Sequence, residues 1–317
     1  DITVLGLLVD SGELTITNSG AQDETNVGHG LWVTDYLKLD GEIDLVGESQ
    51  LVQKKYGDYY DIADIPFADT SQFNESILDA MSSGFLERDQ QGTNNPFNYN
   101  YWGSPVGPQG AGDNNKPRSI GEVLNDGTTS SSPGPITWIT DRTANSIGSP
   151  IQVSTRWTYA YENYATNVYA AWNRLDQDTP LAPGLGHIMK GSGKNYDDKD
   201  PNPGTQNYVF KGKPNNGEIT TLIYDNNDAL IGNPYPSAID AKQFIRDNIK
   251  QDAEGKTGNR LTNIIDGNLY FWDHFGGGTH FLKSYEGGYA IFNLSGGVPA
   301  VSNDNLTKNT NCLLYTS

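Results

Sequence analysis

The pattern that most constrains the fold is a strict alternation of apolar and polar residues near the N-terminus. From Leu37 to Leu45 the two classes exchange at every position except Gly41. Alternation with this period places one face of a β-strand in the core and the other face in water. The stretch therefore predicts strand structure and not helix.

A Gly-Glu pair recurs in the same region, at Gly12-Glu13, Gly41-Glu42 and Gly47-Glu48. Two of these pairs lead directly into apolar-polar-apolar triplets, at 14–16 and 43–45. Short strands joined by repeated glycine corners are typical of β-solenoid rungs, each of which buries its apolar side chains on the next rung. The repeat has no fixed period, so a β-meander is the alternative.

Composition extends the β prediction to the rest of the chain. The sequence has 36 Gly, 18 Tyr and 6 Trp, and charged residues make up only 19% of it. Many turn residues and aromatics favour short strands joined by turns. We therefore predict an all-β fold, in which a short β-solenoid-like N-terminal stretch is followed by a β-sandwich or jelly-roll-like domain.

Changes along the chain predict four segments. They are a β-solenoid-like or β-meander segment at 1–53, a linker or insertion at 54–135, a β-sandwich domain at 136–311 and a non-biological tail at 312–317. The linker is predicted to hold a short helix at 71–82 and a long loop at 107–135. The sandwich is predicted to hold one short helix at about 237–248, with Ser237 as its N-cap. Its predicted strands lie at 136–139, 155–161, 168–172, 187–189, 207–210, 218–224, 269–272 and 289–294.

The two ends of the sequence lead to a separate prediction, that the chain is a fragment with a non-biological tail. Residues 312–317 resemble the in-frame translation of a transposase sequencing adapter, and a genuine apolar tail is the alternative. Cys312 is the only cysteine, so a sequence that stops near Asn311 would contain none. Lack of cysteine fits export without disulfide bonds. Because the chain opens at Asp1 without a signal peptide, we expect a fragment that is truncated at both ends.

The charge of the chain limits its partners. Lys and Arg number 21 and Asp and Glu number 39, which gives a net charge of −18. Phosphate binding needs clustered cations, so we expect no nucleic-acid partner. The sequence has no apolar run of the length that spans a bilayer, so we expect no membrane insertion in this segment.

Several short stretches are similar in sequence to one protein family. They follow one another in the same order over most of residues 36–297. They are 36–45 with 48–53, 86–93, 98–102, 210–217, 232–241, and 270–273 with 287–290. These stretches resemble large exported surface proteins of Bacteroidota, which are cargo of the type IX secretion system. The resemblance implies a secreted or cell-surface location, in an adhesin-like region that precedes a C-terminal sorting domain. The family has no settled biochemistry, so the resemblance assigns no functional role to particular residues.

The strongest enzyme-like pattern runs from Glu42 to Glu48. It resembles the Glu-x-Asp-x-x-Glu strand of jelly-roll β-glucanases, in which alternation projects a nucleophile, a helper and an acid onto one face. Here Glu48 comes one residue too late, and Gly47 interrupts the strand. The repeated glycine corners account for the same residues, so we predict no catalytic residues.

Two polar clusters raise the question of metal binding. An oxygen-rich group suited to calcium consists of Asp197, Asp198, Asp200 and Asn202. The central Gly and terminal Glu of an EF-hand are absent, so a solvated polar loop is the alternative. His274 and His280 flank a glycine-rich stretch, and a hairpin tip explains them as well as a transition-metal pair does.

Aromatic residues gather at Tyr99, Tyr101 and Trp102, and more follow between residues 157 and 172. Aromatic faces stack on sugar rings, so these three residues are candidates for glycan stacking. Period-2 spacing suits core packing equally well. An extracellular glycan or another surface component is therefore the partner to consider.

Taken together, the patterns predict a structural or adhesive, non-catalytic segment of an exported bacterial cell-surface protein. A carbohydrate-binding module is the first alternative and a glycoside hydrolase is the second. Calcium is the one cofactor considered.

Overall fold

The structure is a computed structural model that describes residues 1–54, 75–110, 112–165, 168–197, 204–253, 257–276, 278–281, 284 and 286–301. Strands make up 40% of it and helices 7%, so the predicted all-β fold class is confirmed. The chain divides into two compact units, Asp1–Ser237 and Ala238–Ser317. The predicted tail at 312–317 lies outside the described residues.

The first unit begins with strands that stack as parallel rungs. They are β1 (Ile2–Val9), β2 (Glu13–Ile16), β3 (Gly30–Leu39), β4 (Glu42–Leu45), β5 (Gln50–Gln53), β6 (Ile77–Leu78) and β7 (Phe85–Thr93). In one sheet β1, β5 and β6 all pair in parallel with β3. In the other sheet β2, β4 and β7 pair in parallel. A meander would pair successive strands antiparallel, so the pairing matches the solenoid-like prediction.

The rungs are in register, so equivalent side chains form columns. Leu14 lies beside Ile43, and Ile43 lies beside Leu86. Ile43 and Leu86 are completely buried. The matching column in the other sheet consists of Leu7, Leu37 and Leu78. Burial of these columns from rung to rung supplies the hydrophobic stabilisation that a single rung lacks.

Glycines form the corner between the two sheets. The Gly41 amide donates to the Val9 carbonyl at 2.7 Å, and the Gly84 amide donates to the Leu39 carbonyl at 2.8 Å. A Cβ atom on Gly41 would lie 2.5 Å from the Gly12 carbonyl oxygen, so a side chain does not fit there. The alternating stretch from Leu37 to Leu45 is accordingly two strands with a corner between them.

The other elements of the first unit are mostly short. They are β8 (Tyr99–Trp102), β9 (Val106–Gly107), α1 (Ile120–Val123), β10 (Leu124–Asp126), β11 (Gly134–Pro135), β12 (Thr137–Ile139), β13 (Gln152–Ser154), a 3-10 helix (Thr155–Trp157), β14 (Tyr159–Tyr161), β15 (Tyr164–Ala165), a second 3-10 helix (Tyr169–Ala171), β16 (Trp172–Arg174), β17 (His187–Lys190), β18 (Thr205–Pro214) and β19 (Asn227–Asp228).

The rungs continue directly into a larger sheet with the order β11-β10-β18-β7-β4-β2, in which β9 also pairs with β18. The segment predicted as a linker at 54–135 thus supplies β7 and β10 to this sheet, because β7 pairs with β4 on one side and β18 on the other. The predicted loop at 107–135 contains α1, β10 and β11. The predicted helix at 71–82 is wrong where it is described, since Ile77 and Leu78 extend the rung stack as β6.

Three smaller sheets complete the first unit among the described residues. Their strand orders are β12-β13, β16-β14-β17-β8 and β15-β19. The described residues 218–224 contain no strand, although their composition predicts one.

The second unit contains the helix α2 (Ala241–Asn248) and the antiparallel sheet of β20 (Asn268–Gly276), β21 (Glu286–Asn293) and β22 (Gly296–Val298). The helix predicted at about 237–248 is present, but it begins later. Asp240 is its N-cap and accepts a hydrogen bond from the Gln243 amide at 2.9 Å. The predicted cap, Ser237, lies outside the helix because the Asp240 carboxylate satisfies the free amide instead.

Candidate functional site

Carboxylates line up along one face of β2, β4 and β7. This acidic ladder consists of Glu13, Glu42, Asp44, Glu87 and Asp89. In the parallel register Glu13 lies beside Glu42, and Asp44 lies beside Glu87. Like charges directly opposite each other on neighbouring strands are destabilising, so the ladder is held in place by the apolar columns on the other face of the sheet.

The inner end of the ladder is buried and satisfied by polar partners. The Lys211 ammonium donates to the Glu87 carboxylate. The Asp89 carboxylate accepts from the Asn207 amide nitrogen at 2.8 Å and from the Gly47 backbone amide at 2.9 Å. Lys211 is therefore the cation that neutralises part of this face, and β18 brings it there.

The middle of the ladder holds protons near neutral pH. Burial raises the pKa of Glu42 to about 7, and the charge of Glu87 and a hydrogen bond between the two carboxyl groups add to the rise. Burial also raises the pKa of Asp44 to about 7, with repulsion from Asp89 and Glu87 as the next causes. The pKa of Asp89 is raised by burial, against its hydrogen bonds. Two carboxyl groups that titrate near pH 7 can exchange protons with a ligand or with solvent.

The geometry separates the residues of the enzyme-like pattern. The Glu48 carboxylate lies 3.8 Å from the guanidinium of Arg88, and Arg88 also donates to the Gly47 carbonyl. Arg88 projects to the opposite face of β7 from Glu87, so Glu48 does not join the ladder. Glu42 and Glu87 share a hydrogen bond. Two glycosidase carboxyls instead stand about 5 Å or more apart to admit the scissile bond between them.

Replacing Glu42 by Gln is expected to stabilise the protein at pH 8 and to change little at pH 5. The folded-state pKa of Glu42 lies above its unfolded value, so its contribution to stability is greatest at low pH and is lost as the pH rises towards 7. Because Glu42 is partly exposed, we expect a gain of only about 1 kcal/mol at pH 8. Melting temperatures of both proteins between pH 5 and pH 8 measure it.

Glu13→Gln is the matched control, since Glu13 stands in the same ladder but is exposed. It should shift the melting temperature less than Glu42→Gln does at pH 8. An equal shift for Glu42→Gln at pH 5 and pH 8 would show that folding does not raise the pKa of Glu42.

The three residues predicted to stack on a glycan do not share a surface. Trp102 is only 8% exposed, and its ring packs edge-on against Tyr208 at 4.6 Å and tilted against Phe210 at 5.7 Å. Tyr101 is 39% exposed, and alternation places it with Tyr99 on the other face of β8. Trp102 is therefore a core residue, whereas stacking by Tyr99 and Tyr101 stays a prediction.

Register brings other aromatics to the face that Tyr101 occupies. Tyr101 lies beside Ile188, and Ile188 lies beside Tyr159. On the next strand Trp172 pairs with Tyr161. We define the aromatic face as Tyr99, Tyr101, Tyr159 and Trp172, none of which is buried. The period-2 spacing of residues 157, 159 and 161 hinted at this face, but which strands adjoin could not be deduced from sequence.

Lys190 also lies on the aromatic face, although the sequence alone does not mark it as a candidate. The Lys190 ammonium stands 4.9 Å from the centre of the Tyr99 ring and 4.3 Å from that of Trp157. Burial, with repulsion from Arg142, lowers the pKa of Lys190 to about 7. Cation–π contact with two rings compensates in part for the burial of its charge.

The structure describes only part of the predicted calcium group. Asp197 is described, while Asp198, Asp200 and Asn202 lie outside the described residues, so calcium stays a prediction. In the part of the chain that the structure describes, no three or more His, Cys, Asp or Glu side chains are grouped to hold a metal ion. His274 is buried on β20.

Among the described residues, no helix is both long enough and apolar enough to span a membrane.

The stacked parallel rungs and the sheets they lead into define an all-β protein with a solenoid-like N-terminal part. Residues 72–303 match the family described as "Domain of unknown function (DUF8693)". The match covers more than half of the chain, and the chain belongs to this family. No curated protein and no solved structure matches this chain.

Proposed function

We propose that this chain is a structural and adhesive segment of an exported bacterial cell-surface protein and has no catalytic role. The observation that carries the proposal is the in-register parallel stack of β1 to β7, joined to a larger sheet through β7. Stacked rungs of this kind build stiff, extended supports from short sequence units. The resemblance to exported Bacteroidota proteins supplies the expected location.

The chemistry of the described surface supports a passive role. The buried members of the acidic ladder are engaged by Lys211 and Asn207. Burial and the neighbouring carboxyl group of Glu87 raise the pKa of Glu42 to about 7. These contacts explain the conspicuous carboxylates as structure, so the glycoside hydrolase alternative gains no support from them. The net charge of −18 suits a soluble surface that repels nucleic acid.

Labelling of intact cells tests the location. Antibodies against the purified chain should bind a bacterium that encodes it without permeabilisation, and external protease should remove the label. A cytoplasmic protein of the same cells, probed in parallel, controls for lysis. Label that appears only after permeabilisation would contradict the proposal.

Carbohydrate binding is a second candidate, and the aromatic face is the observation that favours it. Tyr99 and Tyr101 project from β8 while Tyr159 and Trp172 project from neighbouring strands of the same sheet. Tyr101 is exposed and the other three rings are half-buried, and rings that reach the surface can stack on the apolar faces of sugar rings. Binding on a glycan array that Tyr101→Ala abolishes would establish it. Absence of binding to any glycan would remove it.

A further inference from the structure

Positive charge gathers around the aromatic face. Three of the seven arginines of the chain lie on its four-stranded sheet or beside it, and they are Arg142, Arg156 and Arg174. The net charge of the chain is −18, so these cations set the face apart from a generally acidic protein. We propose that the aromatic face binds an acidic polysaccharide, whose sugar rings stack on the aromatic rings while its anionic groups bind the arginines. This inference rests on the carbohydrate binding proposed for the same face.

Strand register places Arg174 on the same side of the sheet as the rings. Arg174 lies directly opposite Tyr159 in the antiparallel pair of β14 and β16. Residues directly opposite each other in such a pair project to one face, and alternation adds Trp172 to that face. The Arg174 side chain is 53% exposed. Its guanidinium is therefore open to a ligand that lies on the rings.

The other two arginines flank the rings from the segments before β14. The Trp157 indole donates to the Arg142 carbonyl at 2.5 Å, and the Tyr159 hydroxyl donates to the Arg156 carbonyl at 2.9 Å. Both arginines are exposed. Burial raises the pKa of Tyr159, and the charges of Arg174 and Arg156 oppose that rise. Two guanidinium groups thus act on one ring of the aromatic face.

Lys190 adds a cation beneath the rings. It is 2% exposed, and it lies directly opposite Tyr99 on the neighbouring strand. Burial, followed by repulsion from Arg142, lowers the pKa of Lys190 to about 7. An anion bound on the face would favour the charged form of Lys190, because an opposite charge raises the pKa of an amine.

The ion pair that Arg174 makes within the chain can be exchanged for one with a ligand. Asp176 lies 3.5 Å from Arg174, and its side chain is 69% exposed. An ion pair between two hydrated side chains contributes little free energy. A carboxylate or sulfate that is held in place by ring stacking can therefore replace Asp176, and guanidinium binds such groups through paired hydrogen bonds.

Matched polysaccharides test the charge of the ligand on the full chain. Polygalacturonate and its methyl-esterified form share one backbone, and dextran sulfate and dextran form a second pair. The two pairs separate carboxylate from sulfate as the anionic group. Isothermal titration calorimetry should show that at least one acidic polymer binds about tenfold or more tightly than its neutral counterpart, and that added salt weakens this binding.

Variants test whether the named residues carry the binding. Arg156→Gln combined with Arg174→Gln should weaken binding of the acidic polymer about tenfold, since it removes two exposed ion pairs with the ligand. Tyr101→Ala should weaken it as well, through lost stacking. Lys54→Gln combined with Lys116→Gln is the matched control, because it removes the same charge from exposed positions outside this sheet. The control should keep the affinity unchanged.

The results that would overturn this inference differ in what they leave standing. Equal binding of acidic and neutral polymers, lost on Tyr101→Ala, would remove the acidic ligand and keep the carbohydrate-binding proposal. Absence of binding to both acidic polymers would also remove the acidic ligand, and the glycan array would then decide on neutral glycans. Equal weakening by the two double variants, or equal binding of poly-glutamate or single-stranded DNA, would show a general attraction of polyanions and not a sugar site.

Discussion

Replacing Gly84 by Ala is expected to destabilise the first unit by about 3–5 kcal/mol, in the range of severe core defects. The new Cβ atom would lie 1.8 Å from the Gly41 carbonyl oxygen and 2.7 Å from the Asp40 carbonyl carbon. Both obstacles are backbone atoms of the preceding rung, so they can move only if the rungs separate. Separation would uncover the apolar columns beside the corner.

The corner is fixed from its other side as well. Lys213 is 1% exposed, and its ammonium donates to the Gly84 carbonyl at 2.6 Å and to the Ser82 carbonyl. A shift of Gly84 away from Gly41 would disturb these charge-assisted hydrogen bonds. If Gly84 stays in place, the new Cβ atom clashes with Gly41. If Gly84 moves away, its hydrogen bond to Lys213 is disturbed, so either response costs free energy.

Thermal denaturation measures the effect of Gly84→Ala as a fall in melting temperature of about 10 °C. Gly110→Ala is the matched control, because a Cβ atom there meets nothing within 4 Å. The control should leave the melting temperature unchanged. A similar small effect for both variants would mean that the rungs are not packed at the corner as described.

The rung stack shows how far local pattern predicts fold. Alternation and the glycine pairs at Gly12 and Gly41 predicted solenoid-like rungs, with a β-meander as the alternative, since each rung is built from neighbouring residues. The third corner, Gly84, follows Ser82 and Ser83 and precedes Phe85, so it lacks the Gly-Glu signature. Its role depends on the carbonyl of Gly41 above it, and that contact is invisible in the sequence.

The linker prediction for 54–135 was limited by long-range pairing. β7 carries Glu87, Arg88 and Asp89 in succession, and charged residues are seldom fully buried unless they are paired. In the fold these charges are buried by contacts with Lys211, Gly47 and Asn207 from distant positions. A buried charge is stable only when its partner is present, and sequence alone does not show which residues become partners.

The acidic ladder was missed for a related reason. Glu42 and Asp44 were considered as a glycosidase pattern along one strand. The neighbours that raise their pKa values, Glu87 and Asp89, come from β7. Periodicity predicts the face on which a side chain lies, whereas register between strands decides what it meets.

Replacing Trp102 by Ala is expected to cost about 3–5 kcal/mol, as for other large-to-small substitutions of buried aromatics. The indole packs between Tyr208 and Phe210 of β18, and His187 of β17 lies edge-on at 6.4 Å. It therefore joins the four-stranded sheet of β8 to the main sheet of β18. Removal of the indole leaves a cavity between the two sheets. Each sheet is fixed by its own hydrogen bonds, so the sheets can move together only a little to fill the cavity.

The adjacent residue provides the control, because Tyr101→Ala removes a ring from the opposite, partly exposed face of the same strand. We expect a fall in melting temperature of about 10 °C for Trp102→Ala and of only a few degrees for Tyr101→Ala. Trp102→Phe should recover part of the loss, since a ring still fills part of the space. If instead Trp102→Ala keeps the wild-type melting temperature while Tyr101→Ala unfolds the protein, the two faces of β8 have been assigned the wrong way round, and Trp102 would return as a candidate for glycan stacking.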